Sequence, residues 1–202
     1  FATSARGVNS REKRLGRALI LLSCLVLSAC SSVKPQYYTL GTPSLSSVEN
    51  QHKPVNSIGV ARIRLPSLLD RQGMVVRKDN FRVEVSELAQ WAGVLRDEVN
   101  ESLVSGLQAA LPNTRVQVAP WELEQTPQYY LMVNILEFDG APQAEAKLRG
   151  SWQLLQGSSN RLLKAGSMSF KRSVVGKELQ DVVQVQNELI GDLIRQVLAV
   201  LP

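Results

Sequence analysis

The sequence has very little of the residue types on which most catalytic and metal sites depend. Its 202 residues include two cysteines, Cys24 and Cys30, and a single histidine, His52. One histidine in a Gln-His-Lys-Pro segment supplies almost no material for a histidine-based triad or a zinc site. A glycine-rich phosphate loop is also missing from the sequence. We therefore expect no catalytic residue, no cofactor and no metal site.

The sequence also lacks an apolar run that is long enough to cross a bilayer. Its longest run, residues 18–29, has twelve residues, whereas a transmembrane helix needs about 20. Twelve lies within the range of about 7 to 15 that is typical of a signal peptide. Residues 1–29 are therefore predicted to be an export signal that is removed. Its charged beginning consists of Arg6, Arg11, Lys13, Arg14 and Arg17.

The apolar run ends in Leu27-Ser28-Ala29-Cys30, which resembles the lipobox of bacterial lipoproteins. Small residues before such a cysteine admit the signal peptidase, and the thiol receives a diacylglyceryl group. Cys30 is therefore predicted to become the first residue of the mature chain, carrying S-diacylglycerol and N-palmitoyl groups. The alternative is an ordinary secretory signal with a chance cysteine beside its cleavage site. Ser31 and Ser32 stand where an aspartate would favour the inner membrane, so we expect an anchor on the periplasmic face of the outer membrane.

Removal of the signal changes the chemistry of the remaining chain. Cys24 leaves with the signal and Cys30 carries the lipid, so no thiol is left for a disulfide, a metal or nucleophilic attack. The whole chain has a net charge of +5, but residues 30–202 retain only +1. The basic composition is therefore no argument for a nucleic-acid partner, and we expect none.

The mature chain is long enough for one domain of ordinary size. We predict a lipidated tether at 30–36 and a domain at 37–202 that contains a polar linker at 41–54. If the fold begins at Tyr37, the free tether spans at most about 20 Å. If it begins at Val55, the polar leader behaves as a coil about 27 Å long.

Alternating and helical patterns predict an α/β fold with a mixed β-sheet and two amphipathic helices packed on it. The helices are expected at 88–111, where apolar residues including Trp91 recur every four positions, and at 178–201. The residues at 74–77 and 81–85 are predicted to form a hairpin with a turn at 78–80. Further strands are expected at 37–40, 55–65, 115–119, 129–138, 146–155 and 162–172, the last two joined by a turn at 157–160.

Two groups of residues are candidates for contact with a partner or with lipid. A turn after Pro66 contains apolar residues that either form an exposed contact surface or cap the core. The candidates in this segment are Leu65, Pro66, Leu68, Leu69 and Arg71. Arginines on predicted strands and turns can meet phosphate or an acidic partner, although such residues are usually solvated. They are Arg62, Arg64, Arg71 and Arg77.

Several segments in order resemble the ABC-type transport auxiliary lipoproteins. They begin with Tyr37-Tyr38-Thr39-Leu40 and Ile58-Gly59-Val60, both behind the lipobox. Leu65-Pro66-Ser67-Leu68-Leu69-Asp70-Arg71 and Met74-Val75-Val76-Arg77 come next. Trp91 at the opening of a helix and Tyr130-Leu131-Met132-Val133 running to Phe138-Asp139 complete the set. The resemblance covers nearly all of the mature chain.

This resemblance implies a non-catalytic lipoprotein of a Gram-negative MCE-type ABC system for phospholipid transport. Such a component docks the periplasmic MCE-domain protein at the outer membrane and supports membrane integrity, and it can form a homo-oligomeric ring. Two other interpretations stay open. One is a structural or assembly lipoprotein, a chaperone or plug of another outer-membrane machine. The other is an envelope hydrolase that uses carboxylates such as Glu122 or Asp139.

Overall fold

The computed structural model describes residues 33–45, 55–121 and 125–202. The chain divides into two units, Phe1–Lys34 and Pro35–Pro202, and the elements below all belong to the second. In chain order the elements are β1 (Gln36–Tyr38), β2 (Ser57–Val60), β3 (Gly73–Arg77), β4 (Val83–Trp91), α1 (Leu95–Ala110), β5 (Arg115–Val118), β6 (Tyr129–Asp139), β7 (Glu145–Gln156), β8 (Leu162–Ser173) and α2 (Leu179–Leu198).

The strands form two sheets that share one core. The larger sheet has the order β5-β2-β6-β7-β8, in which β2 is parallel to β5 and β6 while β6, β7 and β8 are antiparallel. The smaller sheet has the order β1-β4-β3, with β1 parallel and β3 antiparallel to β4. The predicted α/β fold of a mixed sheet and two helices is confirmed, with the strands divided between two sheets.

Both helices cover one face of the five-stranded sheet. Helix α1 packs beside β5 and β2, α2 packs beside β7 and β8, and the helices contact each other. The buried face of α2 includes Val182, Leu189, Leu193 and Val197, whose spacing is that of an amphipathic helix. Along β7 the side chains alternate between this core and the opposite face. That opposite face, which carries exposed Arg149, Ser151 and Gln153, is called here the outer sheet face.

The prediction of a helix over 88–111 is wrong at its beginning. Residues up to Trp91 continue β4, and α1 starts at Leu95. The reason is tertiary, because β4 is the central strand of its sheet. Gln90 is opposite Gly73 of β3, and Trp91 is opposite Tyr38 of β1. The hydrogen bonds that β4 forms with strands on both sides outweigh the helical spacing of apolar residues, which Trp91 matches only by coincidence.

The prediction for 81–85 is wrong at its first residues. The hairpin and its turn exist, but β4 begins at Val83, and Phe81 belongs to the tip rather than to a strand. The carboxylate of Asp79 accepts hydrogen bonds from the backbone N–H groups of Phe81 and Arg82, both at 2.9 Å. This Asx turn widens the tip and turns Phe81 outward, where its side chain is fully exposed.

Two other predicted segments are only partly regular or only partly described by the structure. The strand expected over 55–65 is regular only in Ser57–Val60, followed by an isolated bridge between Arg64 and Asn134. Of the polar linker predicted at 41–54, residues 41–45 are described, and they pack on the helices. Pro43 is buried against two helix positions that are occupied by glycine, Gly106 of α1 and Gly191 of α2. A Cβ atom at either glycine would contact the proline ring.

A buried carboxylate fastens the beginning of the fold to helix α1. Glu98 is 7% exposed, and its Oε2 accepts hydrogen bonds from the backbone N–H of Leu40 at 3.0 Å and from the Thr39 hydroxyl at 2.7 Å. Its Oε1 accepts the N–H of Gly93 at 3.1 Å. One side chain therefore holds both the exit of β1 and the turn that precedes α1.

Candidate functional site

The structure separates the five contact candidates predicted between Leu65 and Arg71. The carbonyl oxygen of Pro66 accepts the N–H groups of Leu69 at 2.9 Å and Asp70 at 3.1 Å, which closes a tight turn. The turn directs Leu69 into the core, where it is 4% exposed, and leaves Leu68 42% exposed. Leu69 therefore caps the core, and Leu68 is the leucine that is exposed to solvent; its role as a partner or lipid contact stays a prediction. Leu65 and Pro66 are half-buried, and Arg71 is exposed.

Three of these candidates line a groove at the edge of the outer sheet face. The groove encloses about 390 Å³. Pro66, Leu68 and Leu69 form one side of it, and Leu136 of β6, which is 51% exposed, belongs to its lining. Leu65 and Arg71 are not among the residues of the groove. Its further lining residues are Val75, Arg77, Asn80, Val83, Glu137, Asp139 and Arg149.

Alternating charges form the floor of this groove. The guanidinium of Arg77 donates from Nε to Oδ1 of Asp139 at 2.8 Å and from Nη2 to Oδ2 at 2.5 Å. Glu137 lies between two arginines, with Oε1 at 3.7 Å from Arg77 Nη2 and Oε2 at 3.0 Å from Arg149 Nε. Two positive and two negative groups therefore compensate one another.

The pKa of Arg77 is raised above the ordinary arginine value, mainly by the hydrogen bond to Asp139. Burial of the guanidinium lowers the pKa by a smaller amount. Both oxygens of Asp139 are engaged by this guanidinium, so the carboxylate acts as a structural counter-ion. Glu122, the other carboxylate considered for a hydrolase, lies outside the described residues, as do Cys30 and His52. Within the described residues, no helix is both long and apolar enough to cross a membrane.

A second concavity lies beside the groove on the same face. It encloses about 230 Å³ and is lined by Arg62, Arg64, Met132, Val133, Asn134, Ser151, Trp152 and Gln153. Arg62 and Arg64 are two residues apart on an extended segment, so both side chains project to the same side. Among the described residues, neither forms an ion pair with an acidic group. The four candidate arginines therefore differ: Arg77 is neutralised within the fold, Arg62 and Arg64 share one concavity, and Arg71 is exposed outside both the groove and the concavity.

Sequence reasoning missed Leu136, Glu137 and Arg149 as neighbours of the Pro66 turn. The sequence contains a signal for the first two, because the alternation of apolar and polar residues along β6 is interrupted after Ile135. The register against β7 shifts between Ile135 and Glu137. Such a β-bulge redirects side chains, and here Leu136 becomes exposed. The position of Arg149 follows from the strand pairing, in which it is opposite Glu137.

Comparison with known proteins gives consistent results. The family model for the ABC-type transport auxiliary lipoprotein component matches residues 38–198. The chain is similar to the intermembrane transport lipoprotein PqiC of Escherichia coli (strain K12), with 27% identity over 143 residues, 67% of this chain and 72% of that protein. The PqiC of Shigella flexneri matches to the same extent.

Two crystal structures share the fold at low sequence identity. An uncharacterized protein superposes with a TM-score of 0.67 at 18% identity, covering 81% of this chain and 96% of that one. Protein XCC0632 from Xanthomonas campestris superposes with a TM-score of 0.63 at 16% identity, covering 81% and 92%. The family match extends from β1 to the last residue of α2. The chain therefore belongs to the family of ABC-type transport auxiliary lipoprotein components.

Proposed function

We propose that this protein is a non-catalytic lipoprotein of an MCE-type ABC phospholipid transport system in a Gram-negative envelope. Cys30 carries the lipid anchor on the periplasmic face of the outer membrane. The domain docks the periplasmic MCE-domain protein there, so that phospholipid moving along that protein meets the membrane, and membrane integrity depends on it. The family membership and the similarity to a protein named as an intermembrane transport lipoprotein support this proposal.

The observation that carries the proposal is the place where the fold begins. Strand β1 starts at Gln36, six residues after Cys30, and Glu98 fastens its exit to α1. A chain of six residues spans at most about 20 Å. Acylation at several positions holds a protein stably at a bilayer, which a single chain does not. The domain is therefore kept close to the membrane, as a part that receives a partner there requires.

The groove beside Leu68 is the docking surface in this proposal. Leu68 and Leu136 present apolar side chains beside a floor whose charges are already compensated. A partner that buries this surface does not leave an unpaired charge behind, which is the costly outcome at an interface. The adjoining concavity at Arg62 and Arg64 extends the surface with groups that can pair with acidic side chains of the partner.

Photo-crosslinking from two positions tests this function. A photoreactive amino acid replaces Leu68 in the groove or, as the control, Leu162, which is 53% exposed at the far end of β8. We expect an MCE-domain protein to be captured from position 68 and not from position 162. Capture of another outer-membrane machine from position 68 would instead support the assembly role, as a chaperone or plug, and would overturn the proposal.

The proposal includes assembly of the lipoprotein into a homo-oligomeric ring around the MCE protein. Closed cyclic symmetry is the usual way in which identical subunits assemble, and a ring can brace a tube from all sides. Native mass spectrometry of the lipidated protein in detergent measures the subunit number. A monomer at all concentrations, with or without the MCE protein, would remove the ring from the proposal.

A further inference from the structure

The tip of the β3–β4 hairpin presents an aromatic side chain to solvent in a fixed position. Phe81 is 100% exposed. The tip is ordered by Asp79, whose Oδ1 accepts the N–H groups of Phe81 and Arg82. A fully exposed phenylalanine in a turn that is closed by these hydrogen bonds has no role in the core. It is a candidate contact with something outside the molecule.

A second exposed apolar side chain lies at the same end of the fold. Beside the hairpin tip is the turn 140–144, because the N–H of Arg77 donates to the carbonyl of Gly140 at 3.1 Å. That turn is also joined to the loop 174–178. We call the three turns 78–82, 140–144 and 174–178 the hairpin end.

The loop 174–178 carries the second apolar residue. The N–H of Val174 donates to the carbonyl of Ala144 at 2.7 Å, which places this loop against the turn 140–144. The next residue, Val175, is 89% exposed. Among the described residues, Phe81 and Val175 are the two most exposed of the large hydrophobic side chains, and both lie at the hairpin end.

The chain that comes from Cys30 enters β1 from the side of the fold on which the hairpin end lies. Strands β1 and β4 are parallel, with Gln36 opposite Ala89. The chain that precedes β1 therefore lies toward the first residues of β4, which follow the hairpin tip. From Ala89 to Phe81 is eight residues, or up to about 26 Å at about 3.3 Å per residue. The six residues back to Cys30 span at most about 20 Å, so the greatest possible reach of the tether does not exceed the greatest possible length of the hairpin arm.

We propose that the hairpin end is a second, non-covalent membrane contact, in which Phe81 inserts into the interface of the leaflet that holds the lipids of Cys30. This inference rests on the anchor proposed above. A single aromatic ring is too weak to recruit a protein from solution, but the anchor makes its contact intramolecular. Two points of contact then fix the orientation of the domain on the membrane, which one tether does not.

The charges around Phe81 favour lipid tails over headgroups as its partner. Lys78 pairs with Glu84 at 2.8 Å, and Arg82 pairs with Asp79 at 3.1 Å. These four groups sum to zero charge, so attraction to anionic lipid contributes little. The long stems of Lys78 and Arg82 allow their charged ends to stay in water while the ring is buried. Insertion is therefore expected to be insensitive to lipid charge.

Single-cysteine labelling tests this contact in the lipidated protein. The only cysteine of the mature chain is Cys30, whose thiol is acylated, so an introduced cysteine is the one reactive site. Phe81→Cys, Val175→Cys and the control Leu162→Cys are labelled with the environment-sensitive dye NBD. The proteins are reconstituted into vesicles of phosphatidylcholine, or of phosphatidylethanolamine with phosphatidylglycerol. Flotation of the vesicles first establishes that the anchor holds.

We expect severalfold higher emission at position 81, quenched by spin-labelled lipid, in both kinds of vesicle. Position 175 should respond more weakly and position 162 not at all. If the protein floats but position 81 behaves like position 162, the inference is overturned and the anchor stands. If it does not float, both fail. A signal that depends on anionic lipid, or that grows with protein concentration without lipid, would overturn insertion in favour of a headgroup or a second copy.

Discussion

Arg77 and Asp139 connect the two sheets through a pair of parallel hydrogen bonds, from Nε to Oδ1 at 2.8 Å and from Nη2 to Oδ2 at 2.5 Å. Arg77 ends β3 of the smaller sheet, and Asp139 ends β6 of the larger one. The side chain of Asp139 is 5% exposed, whereas that of Arg77 is 25% exposed. Asp139 therefore has less access to water than Arg77 and relies more on its partner for charge compensation.

Removal of Arg77 should destabilise the protein more than removal of Asp139. Arg77→Ala leaves a buried carboxylate without its counter-charge, which costs about 3–5 kcal/mol of unfolding free energy. Asp139→Ala leaves a guanidinium that still reaches water and Glu137, and we expect a loss of about 1–3 kcal/mol. Urea unfolding followed by circular dichroism measures both. Equal losses, or the reverse order, would contradict this asymmetry. Lys164→Ala, at an exposed position on β8, is the control.

The effect of Arg77→Ala should not change with pH in the neutral range. Asp139 raises the pKa of Arg77 above the ordinary arginine value. A group with a raised folded-state pKa contributes its full stabilisation below the unfolded pKa and loses it only as the pH rises through the folded one. The difference in unfolding free energy between wild type and variant is therefore expected to be constant from about pH 6 to about pH 9.

Loss of the Glu98 carboxylate should release the beginning of the fold. Glu98→Ala removes the acceptor of two backbone N–H groups and one hydroxyl, and we expect a loss of about 2–3 kcal/mol of unfolding free energy. Glu101→Ala, an exposed change on the same helix, should stay within about 0.5 kcal/mol. Hydrogen exchange at the Leu40 amide reports the local effect directly. Unchanged protection of that amide in Glu98→Ala would show that the carboxylate does not hold β1.

Gly150 is required by a close approach between β6 and β7. A Cβ atom at this position would run into the backbone carbonyl oxygen of Asn134, so Gly150→Ala should lower the thermal midpoint. Gly41→Ala is a matched control, because its Cβ would be at an ordinary 3.9 Å from Asn187. Alanine there is expected to be neutral or to stabilise by about 0.4–1 kcal/mol. A Gly150→Ala protein as stable as the control would show that the strands can separate without cost.

Substitution of Leu68 should weaken binding, whereas substitution of Leu69 should weaken folding. Leu69→Ser places a hydroxyl in the core and removes buried apolar volume, with an expected loss of about 2–5 kcal/mol of unfolding free energy. Leu68→Ser should change stability by no more than about 0.5 kcal/mol and yet weaken capture of the MCE-domain protein. The two readouts are urea unfolding and co-purification. Full capture by a folded Leu68→Ser protein would remove the groove from the proposed interface.

The sequence predicted those parts of the fold in which a local pattern and tertiary packing agree. Strands β5 to β8 lie within one residue of their expected bounds, because their alternation matches a half-buried sheet. The turn at 157–160 contains Asn160 at a φ of 54°, a conformation that asparagine tolerates better than most residues. The beginning of α1 was missed because the strand at Trp91 is stabilised by partners from two distant segments.

The candidate site was only partly predictable for the same reason. The Pro66 turn was recognisable, but which of its two leucines faces the core depends on hydrogen bonds within the turn. The sequence does not distinguish Arg77 from the other strand arginines, because its partner Asp139 is 62 residues away along the chain. The exposure of Phe81 follows from the Asx turn at Asp79, whose geometry a strand pattern does not contain.

The distribution of the protein among the compartments of the envelope tests whether Cys30 anchors the domain in the outer membrane. Wild type and Cys30→Ala are expressed in the native host, and their distribution is measured by density-gradient separation of the two membranes and the soluble periplasm. We predict wild type in the outer-membrane fraction, and loss of the Cys30→Ala protein from that fraction. A Cys30→Ala protein that remains with the outer membrane, or a wild type found with the inner membrane, would contradict the account of an outer-membrane domain held by this anchor.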